Sequence, residues 1–589
     1  MNLKKRLIPL IAVVLLLMVM VIAISCKNKQ DDLLDPDTTD VGGTATGGGQ
    51  IDGGDNVFLP PTPPSTDETE KPKIPVGIDG LGGYNRADTN GTQVGTLAYL
   101  GTVGDLSAYT SVSDVVVLSN KLYVADETGK KIYCLSLTGE IEKTYSSSRK
   151  INGLATDGAT LYSLEGDLDG TAVKLSPQLE KLAERSVGHT PTAMAIVGGK
   201  GYVTNRFSGT VSVVKLSDMS LIKTVEIDGR EPISAVAVGN QVYVACHLAN
   251  ETWGSTTVSA DVVILSADTD AQIKTVALVN GASGVKDICV TPDGKTVYVS
   301  HVIGRYTYPV TQMDRGWINT NGFSVIDTAS QAVTCTILLD EVDHGAANPW
   351  GITVSSDGKH LCVALSGTNE VMLIDLSKMN EKLQAVAAGT HSAVKKLSDV
   401  VNYLPFLNDC RTRVIVGVGA RSLWEQNGVL YCGLYYDGAV SAIRLQDQSV
   451  SKLSFVTQPE TSLYRQGQIL WNDATVCYQN WQSCSSCHPD TSTDGLFWDF
   501  NITDLVSFNT KSPIMAFRTP PVTFSGGVAD AEEEIVLSVY GDLYNGSFTN
   551  RQYRALNEYL KGVLPTLSPS LTKDGVLSES ALAGKAIFE

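Results

Sequence analysis

The sequence predicts a multidomain protein in which an all-β seven-bladed β-propeller is followed by a small α-helical domain. Three observations support this order. A unit of short apolar strands and turns recurs seven times, the repetition stops near Arg465, and helical spacing of apolar residues follows it. A length of 589 residues also exceeds what one hydrophobic core usually supports.

Composition and charge narrow the class of protein. The chain is 43% hydrophobic and 18% charged, which is typical of a folded body, and its formal net charge is -18. Nucleic-acid binding needs a concentrated basic surface, and no cluster of Lys and Arg occurs beyond the first six residues. We therefore expect no nucleic-acid partner, and we expect small molecules or basic proteins instead.

The first 26 residues have the form of an export signal. A basic start, residues 4–6, precedes an apolar run over residues 7–24. A retained anchor helix is the alternative, because the run is nearly long enough to cross a bilayer. Residues 23–26, Ala-Ile-Ser-Cys, resemble the lipobox of bacterial lipoproteins, which implies a lipidated Cys26. The resemblance implies a cell-envelope protein, lipid-anchored to the outer membrane or cell surface and facing the periplasm or the exterior.

Residues 27–90 are rich in Gly, Asp, Thr and Pro. Such a composition buries too little apolar surface to fold. We predict a disordered linker that lifts the folded domains away from the membrane.

The propeller is predicted for residues 95–460. Each unit contains a short apolar strand, often a turn such as residues 292–295, Pro-Asp-Gly-Lys, and a second strand, and units recur about every forty residues. Four-stranded blades arranged radially leave no long sheet edge exposed. Residues 201–214 and 322–327 resemble the YVTN family of propeller repeats. The seven second strands are recognised at residues 121–124, 160–163, 201–204, 241–244, 296–299, 360–363 and 429–432.

Two insertions interrupt the repeats. One covers residues 301–321 in the fifth unit, and the other covers roughly residues 377–418, between the sixth and seventh units. Insertions in repeat proteins often carry function, but neutral surface decoration is the equal alternative.

The domain predicted for residues 461–589 is helical. Apolar residues between Asp530 and Val563 recur at helical spacing, and residues 541–547 divide them into two helices. Glu532, Glu533 and Glu534 stand at the predicted start of the first helix, where acidic side chains favour the helix dipole. A role as a distal acid or base is the alternative.

Residues 484–488, Cys-Ser-Ser-Cys-His, carry the strongest chemical signal. Cys484 and Cys487 are spaced to form thioethers with the vinyl groups of a haem, and His488 is placed to ligate its iron. A zinc site would need two further ligands, and a thioredoxin-like pair would need a βαβ setting. The sequence therefore predicts a c-type haem in an exported oxidoreductase, and the helical domain is predicted to be a cytochrome c domain.

The sixth iron position decides between electron transfer and reactivity. No histidine follows His488, which leaves Met515 as the tentative sixth ligand, with core packing as the alternative. His301 and His344, near the insertions, are further candidates.

The flanks of the motif resemble a known family. Residues 467–473, Gly-Gln-Ile-Leu-Trp-Asn-Asp, together with residues 479–483, 494–499 and 519–521, resemble the first haem domain of di-haem cytochrome c peroxidase and MauG-like proteins. The resemblance implies a peroxidase-type haem oxidoreductase with two haems, often with calcium (Ca2+) between them. It also implies a protein or small-molecule electron donor and a propeller for docking or substrate binding. The residues that would perform the catalysis are unknown.

The chain departs from this family in two ways. Phe517 stands where many relatives carry a histidine, and only one Cys-x-x-Cys-His motif is present. Residues 584–588, however, repeat the form of residues 467–471, and Gly467 precedes Cys484 by 17 residues. We therefore expect the helical domain to be C-terminally incomplete, with the second haem site lost by truncation just beyond Glu589. Two other functions remain open: a non-enzymatic haem c electron carrier, and a surface-binding propeller with an accessory haem domain.

Overall fold

The computed structural model describes residues 105–250, 257–308, 318–498, 508–523, 526–573 and 575–589. All of them belong to one compact unit, Pro60–Glu589. The predicted export signal, Cys26 and the linker lie outside the described residues. In the ranges that the structure describes, no helix has the length and apolar character needed to cross a membrane.

The propeller has seven blades, as predicted. Each blade is a four-stranded antiparallel sheet of strands consecutive in the chain. Blades 1 to 4 consist of Val112–Leu118, Lys121–Asp126, Lys131–Leu135 and Ile141–Ser146 (β1–β4); Ile151–Thr156, Leu161–Glu165, Thr171–Leu175 and Lys181–Ser186 (β5–β8); Pro191–Val197, Lys200–Asn205, Thr210–Lys215 and Ser220–Glu226 (β9–β12); and Arg230–Val238, Gln241–Leu248, Asp261–Ser266 and Ala271–Ala277 (β13–β16). Blades 5 to 7 consist of Ala282–Val290, Thr296–Gly304, Asn319–Asp327 and Ala332–Leu338 (β17–β20); Pro349–Val354, His360–Leu365, Glu370–Asp375 and Arg411–Ile415 (β21–β24); and Ala420–Gln426, Val429–Leu434, Ala439–Arg444 and Val450–Leu453 (β25–β28).

The seven segments recognised in the sequence all belong to the second strand of a blade. Their recurring aromatic residue fills the space between blades: Tyr123, Tyr162 and Tyr202 are each at most 1% exposed. The first strand of each blade lies innermost and contacts the first strands of both neighbours. Because β1 lies beside β25, the ring of blades is closed.

Half-buried carboxylates on the innermost strands join neighbouring blades. Asp287 of blade 5 accepts a hydrogen bond from the Ser234 hydroxyl of blade 4 at 2.7 Å and one from the backbone N–H of Ile352 of blade 6 at 3.0 Å. Asp114, at the equivalent position of blade 1, joins blades 7 and 2 in the same way. Burial raises the pKa of Asp287 to about 6.

The insertions differ from the sequence prediction. In blade 5, strands β18 and β19 continue into the two ends of this segment, residues 301–304 and 319–321, while residues 309–317 lie outside the described residues. The second insertion lies inside blade 6, because Arg411–Ile415 pairs with Glu370–Asp375 as the outermost strand of that blade. Its placement between blades was wrong because the charged sequence of this strand lacks the apolar pattern of the others. The insertion contains an α-helix, Leu376–Ala387 (α1), and the 3-10 helices Leu397–Asn402 and Leu404–Leu407.

The region after blade 7 is mainly helical. The two helices predicted between residues 530 and 563 are confirmed. Helix Leu463–Asn472 packs closely on helix Asn550–Gly562. At Gly467 a Cβ atom would lie 1.9 Å from the Ala555 carbonyl oxygen, so the helices approach most closely where the side chain is absent. The described α-helices of the region after blade 7 are Leu463–Asn472 (α2), Cys484–Cys487 (α3), Ala531–Gly541 (α4), Asn550–Gly562 (α5) and Glu579–Phe588 (α6). Its shorter elements are the 3-10 helices Ala474–Val476, Tyr478–Asn480, Pro489–Thr491 and Ala516–Arg518 and the paired strands Phe497–Trp498 and Phe508–Asn509 (β29 and β30).

Candidate haem-attachment site

Sharp turns carry the chain into and out of the Cys-Ser-Ser-Cys-His motif. The side chains of Ser483 and Ser486 cap α3 reciprocally, which fixes the start of this single helical turn. Asp490 and Thr491, just beyond the motif, have positive φ angles of 52° and 62°. His488 and Asp490 can therefore face different neighbours although only Pro489 separates them.

The two motif cysteines lie on the same helical turn and both are free thiols. Cys484 packs against the apolar cluster of the helical region, and Cys487 packs against a second cluster that contains Leu496 and Trp498. Burial raises the pKa of Cys484 to about 12 and that of Cys487 well above its usual range. Both sulfurs are therefore protonated at neutral pH.

The His488 ring is fixed from two sides. Its Nδ1 lies 3.2 Å from the Ser492 carbonyl oxygen and so donates a hydrogen bond, and the Trp471 ring lies 5.8 Å away between centroids. Burial lowers the pKa of His488, although hydrogen bonding to the Ser492 and Lys511 carbonyls acts the other way. A neutral imidazole with Nδ1–H anchored on a carbonyl is the form in which histidine ligates a metal through Nε2.

These donors fit a c-type haem. Two free thiols at positions i and i+3 of one turn, followed directly by a neutral imidazole, are the groups that thioether attachment and iron ligation require. In the described part of the chain, no group of three His, Cys, Asp or Glu residues is arranged to hold a metal ion. Haem attachment needs no such group, because the porphyrin supplies the other four ligands of its iron.

The tentative sixth ligand, Met515, lies in the described segment 508–523. It is half-buried, has a left-handed backbone with φ 69°, and precedes the one-turn helix Ala516–Arg518. Two residues further on, Phe517 is buried in the helical core, and the Lys561 ammonium lies 5.0 Å from its ring centroid. Phe517 is thus a core residue of the helical region.

The other histidine candidates have neighbours within the propeller. His301 is fully buried in blade 5, where its Nε2 lies 2.8 Å from the Ser324 hydroxyl, and burial lowers its pKa to about 4. The Nε2 of His344 lies 3.1 Å from the Asn480 amide nitrogen and 3.8 Å from a Glu370 carboxylate oxygen.

The acidic residues at the start of α4 interact locally. Glu532 forms an ion pair with Lys561 at 2.9 Å, and Glu533 accepts a hydrogen bond from the Ala529 backbone N–H at 3.2 Å. Burial raises the pKa of Glu534. The three glutamates lie in the first turn of α4, which Asp530 caps, and acidic side chains there favour the helix dipole.

Asparagines of blades 5 and 6 hold the motif segment from outside. The Asn348 amide donates hydrogen bonds to the hydroxyls of Ser483 at 2.8 Å and Ser485 at 3.1 Å, and its oxygen accepts one from the Ser486 hydroxyl at 2.8 Å. Asn319 donates to Gln482 at 2.9 Å. The polar side chains of the motif turn are therefore paired with the propeller.

Two further residues extend this contact. Asn321 donates to the Trp481 carbonyl at 3.1 Å, and the buried Asp340 carboxylate accepts hydrogen bonds from both nitrogens of Asn321. Gly345 donates its N–H to the Gln479 carbonyl at 2.7 Å. A Cβ atom at Gly345 would lie 2.4 Å from the Asn480 carbonyl oxygen, so the two backbones touch.

Asp490 inserts into a cluster of basic side chains on the propeller. Its carboxylate lies 2.6 Å from Arg206 of blade 3, 3.2 Å from Nε2 of His247 of blade 4 and 3.1 Å from Lys286 of blade 5. Burial would raise the pKa of Asp490, but the charges of Lys286 and Arg206 hold it well below its usual range. An open pocket lined by Trp350, Asp490 and Lys286, among others, adjoins this cluster.

Sequence reasoning identified the motif but missed these contacts. Nothing in the sequence links the asparagines or the basic residues to the motif, because more than one hundred positions separate them from it. The only local signal is an aspartate two residues after His488. Its partners become visible only when the blades are closed into a ring.

The fold and site together define a seven-bladed β-propeller that carries a Cys-x-x-Cys-His turn on its blades. No protein-family model matches the chain. It is similar to hydrazine synthase subunit beta of Kuenenia stuttgartiensis, with 27% identity over 173 residues, which are 28% of this chain and 42% of that protein. It is also similar to hydrazine synthase subunit gamma of the same organism, with 30% identity over 142 residues, which are 22% of this chain and 40% of that protein.

The chain thus spans less than half the length of these curated relatives. A solved structure of Kuenenia stuttgartiensis hydrazine synthase aligns with a TM-score of 0.50 at 20% identity, over 57% of this chain and 96% of the matched chain. This likeness supports the propeller fold.

Proposed function

We propose that the chain is an exported haem c redox protein, with haem attached at Cys484 and Cys487 and ligated by His488. The observation that carries this proposal is the arrangement of two free thiols and a carbonyl-anchored imidazole on one turn. A bound haem would supply the one-electron chemistry. The chain would attach it, hold the imidazole in one orientation through Ser492, and exclude water with Trp471 and the adjoining apolar clusters.

The finer proposal is a peroxidase-type oxidoreductase of the di-haem cytochrome c peroxidase and MauG-like kind, with Ca2+ as a further cofactor. The resemblance of the motif flanks supports it, while the named relatives are hydrazine synthase subunits. Similarity to two subunits of one enzyme supports a role as a subunit of a redox assembly. Its partners would then be other subunits and an electron donor, which is a protein or a small molecule.

The arrangement along the chain is also a proposal. Residues 1–26 would direct export and leave a lipid on Cys26, and residues 27–90 would form the linker. Residues 95–460 would form the propeller, and residues 461–589 the haem domain. The protein would be anchored to the outer membrane or cell surface, facing the periplasm or the exterior.

Covalent haem tests the central proposal. The full chain is produced in a bacterial host that exports proteins and attaches c-type haem, and the denatured protein is stained for haem after electrophoresis. Wild type should retain haem, and the double variant Cys484→Ser, Cys487→Ser should lose it. Cys289→Ser, which alters a buried cysteine of blade 5, is the matched control and should retain it. A wild-type protein without covalent haem would overturn the proposal.

The sixth ligand separates the enzyme from the electron carrier. Met515 begins a turn beside the helical core and has a thioether available for iron. If it ligates the iron, the oxidised protein shows the long-wavelength absorption band of Met-ligated haem, and Met515→Ala removes this band. Peroxide turnover that survives in Met515→Ala and is lost in His488→Ala would support the enzyme.

A further inference from the structure

Asn319 is a propeller residue whose side chain hydrogen-bonds a sulfur of the haem motif. It begins strand β19, where its backbone pairs with Gly304 of β18, and its side chain is only 1% exposed. Its Nδ2 lies 3.1 Å from Sγ of Cys487 and 2.9 Å from Oε1 of Gln482. A rigid element of the propeller thus touches the second attachment thiol directly.

A chain of hydrogen bonds fixes which end of the Asn319 amide faces the sulfur. The Nε2 of Gln482 donates to the Asp542 carbonyl at 2.7 Å, so its Oε1 must face Asn319. An amide oxygen accepts and cannot donate, so Asn319 must present its nitrogen to Gln482. The second N–H on that nitrogen is then the one directed at Cys487, and the sulfur accepts it.

We propose that Asn319 is a positioning residue for haem attachment, which orients the Cys487 thiol so that the propeller acts as a template for the second thioether. This inference rests on the proposed haem c. By accepting the N–H, the sulfur keeps one side-chain orientation, and its own S–H points away from Asn319. The position of Cys487 relative to Cys484 is thereby set before haem arrives.

The attachment step needs no oxidant. The Cys487 S–H adds across the vinyl C=C bond of haem: a bond forms between sulfur and the inner vinyl carbon, and the S–H bond and the C=C π bond break. The hydrogen ends on the outer vinyl carbon. Without Asn319 the sulfur can rotate, and the haem remains linked through Cys484 with one vinyl group unreacted.

The test is the number of thioethers formed in Asn319→Ala. The full chain is matured as above, and the reduced pyridine haemochrome spectrum distinguishes haem with two thioethers from haem with one thioether and one vinyl group. We expect the ratio of doubly to singly attached haem to fall about fivefold, which corresponds to one lost hydrogen bond. Asn205→Ala is the matched control, because Asn205 is equally buried and bonds only within blade 3 and to Gly188. It should keep the wild-type ratio.

Asn319→Asp separates positioning from folding. The side chain keeps its volume and loses the N–H donors, so the ratio should fall even where the thermal melting of the propeller matches wild type. If Asn319→Ala fails to fold, Asn319→Asp decides. Wild-type ratios in a folded Asn319 variant would overturn the inference and leave the proposed haem c intact. A wild-type chain without covalent haem would instead overturn the proposed function.

Discussion

The propeller and the motif segment, residues 479–498, are held together by opposite means. Within each blade of the propeller, every strand pairs with its neighbour in the chain, and apolar side chains fill the space between blades. The motif segment contains four non-glycine residues with positive φ: Gln479, Asn480, Asp490 and Thr491. Its polar groups bond to blades 3 to 6. The propeller therefore forms from local sequence patterns, whereas the motif segment takes its shape from a surface that the finished propeller provides.

This difference predicts an asymmetry in stability. Loss of the propeller removes the partners of the motif segment, and the segment should unfold with it. Loss of a contact within the segment should release the segment and leave the blades folded. Hydrogen exchange of residues 479–498, measured beside the far-ultraviolet circular dichroism of the blades, reports the two regions separately.

The largest effect is expected for Phe323→Ala. Phe323 is fully buried in blade 5, with its ring centroid 5.8 Å from that of Tyr298. Truncating a buried Phe costs about 3–5 kcal/mol of the free energy of unfolding. Hydrogen exchange in the motif segment should rise together with loss of the blades. Ile415→Ala, at a strand position that is 79% exposed, is the control and should leave both signals unchanged. A motif that stays protected after the blades melt would break the comparison.

Asp490→Ala should affect the motif segment alone. It removes the carboxylate that Arg206, His247 and Lys286 share, and among the described residues only Arg206 keeps another ion pair, with Glu231. Because 36% of the Asp490 side chain is exposed, we expect a loss of roughly 2–3 kcal/mol in segment protection, less than for a fully buried pair. The melting of the blades should not change. Asp293→Ala, in an exposed turn, is the control, and equal losses in the two regions would contradict the prediction.

The same difference explains what the sequence could predict. The blades were predictable because each repeat carries its own pattern of strands and turns. The two long helices were predictable because apolar residues recur on one face of each. Strand β24 was missed because residues such as Arg411 and Arg413 lack that pattern. The cysteines and His488 form a local motif, but Asn319, Asn348 and the basic partners of Asp490 are polar residues whose role arises only from ring closure.

Gly345→Ala is expected to have a smaller effect on the motif segment. A Cβ atom there would lie 2.5 Å from Cα of Trp481, so the two backbones must separate. We expect a loss of about 1–2 kcal/mol in segment protection, because overpacking of this kind forces a local backbone shift. Gly546→Ala is the matched control, since nothing lies within 4 Å of the Cβ position there. Unchanged protection in Gly345→Ala would show that the contact adds nothing to holding the segment.

The last effect concerns the stability of the blades alone and depends on pH. Burial raises the pKa of Asp287 to about 6, above the ordinary value of 3.8. Between these two values the folded protein holds a proton that the unfolded chain has released, so the free energy of unfolding falls as pH rises from about 4 to about 6. In Asp287→Asn the side chain no longer titrates. The free energy of unfolding should therefore fall less steeply with pH, by the contribution of up to about one bound proton.

The comparison with Asp293→Asn sharpens this prediction. Hydrogen bonds from Thr291 and Lys295 lower the pKa of Asp293. Asp293→Asn should therefore not make the fall in the free energy of unfolding between pH 4 and 6 less steep. Denaturant titrations at pH 4, 5, 6 and 7, with the circular dichroism of the blades as the signal, measure both slopes. Other buried acids, including Asp340 with a pKa of about 6, remain in both variants, so the two titrations differ only at the substituted residue. An unchanged slope in Asp287→Asn would mean that the carboxylate joining blades 4, 5 and 6 is already ionised at pH 4, and that its hydrogen bonds outweigh its burial.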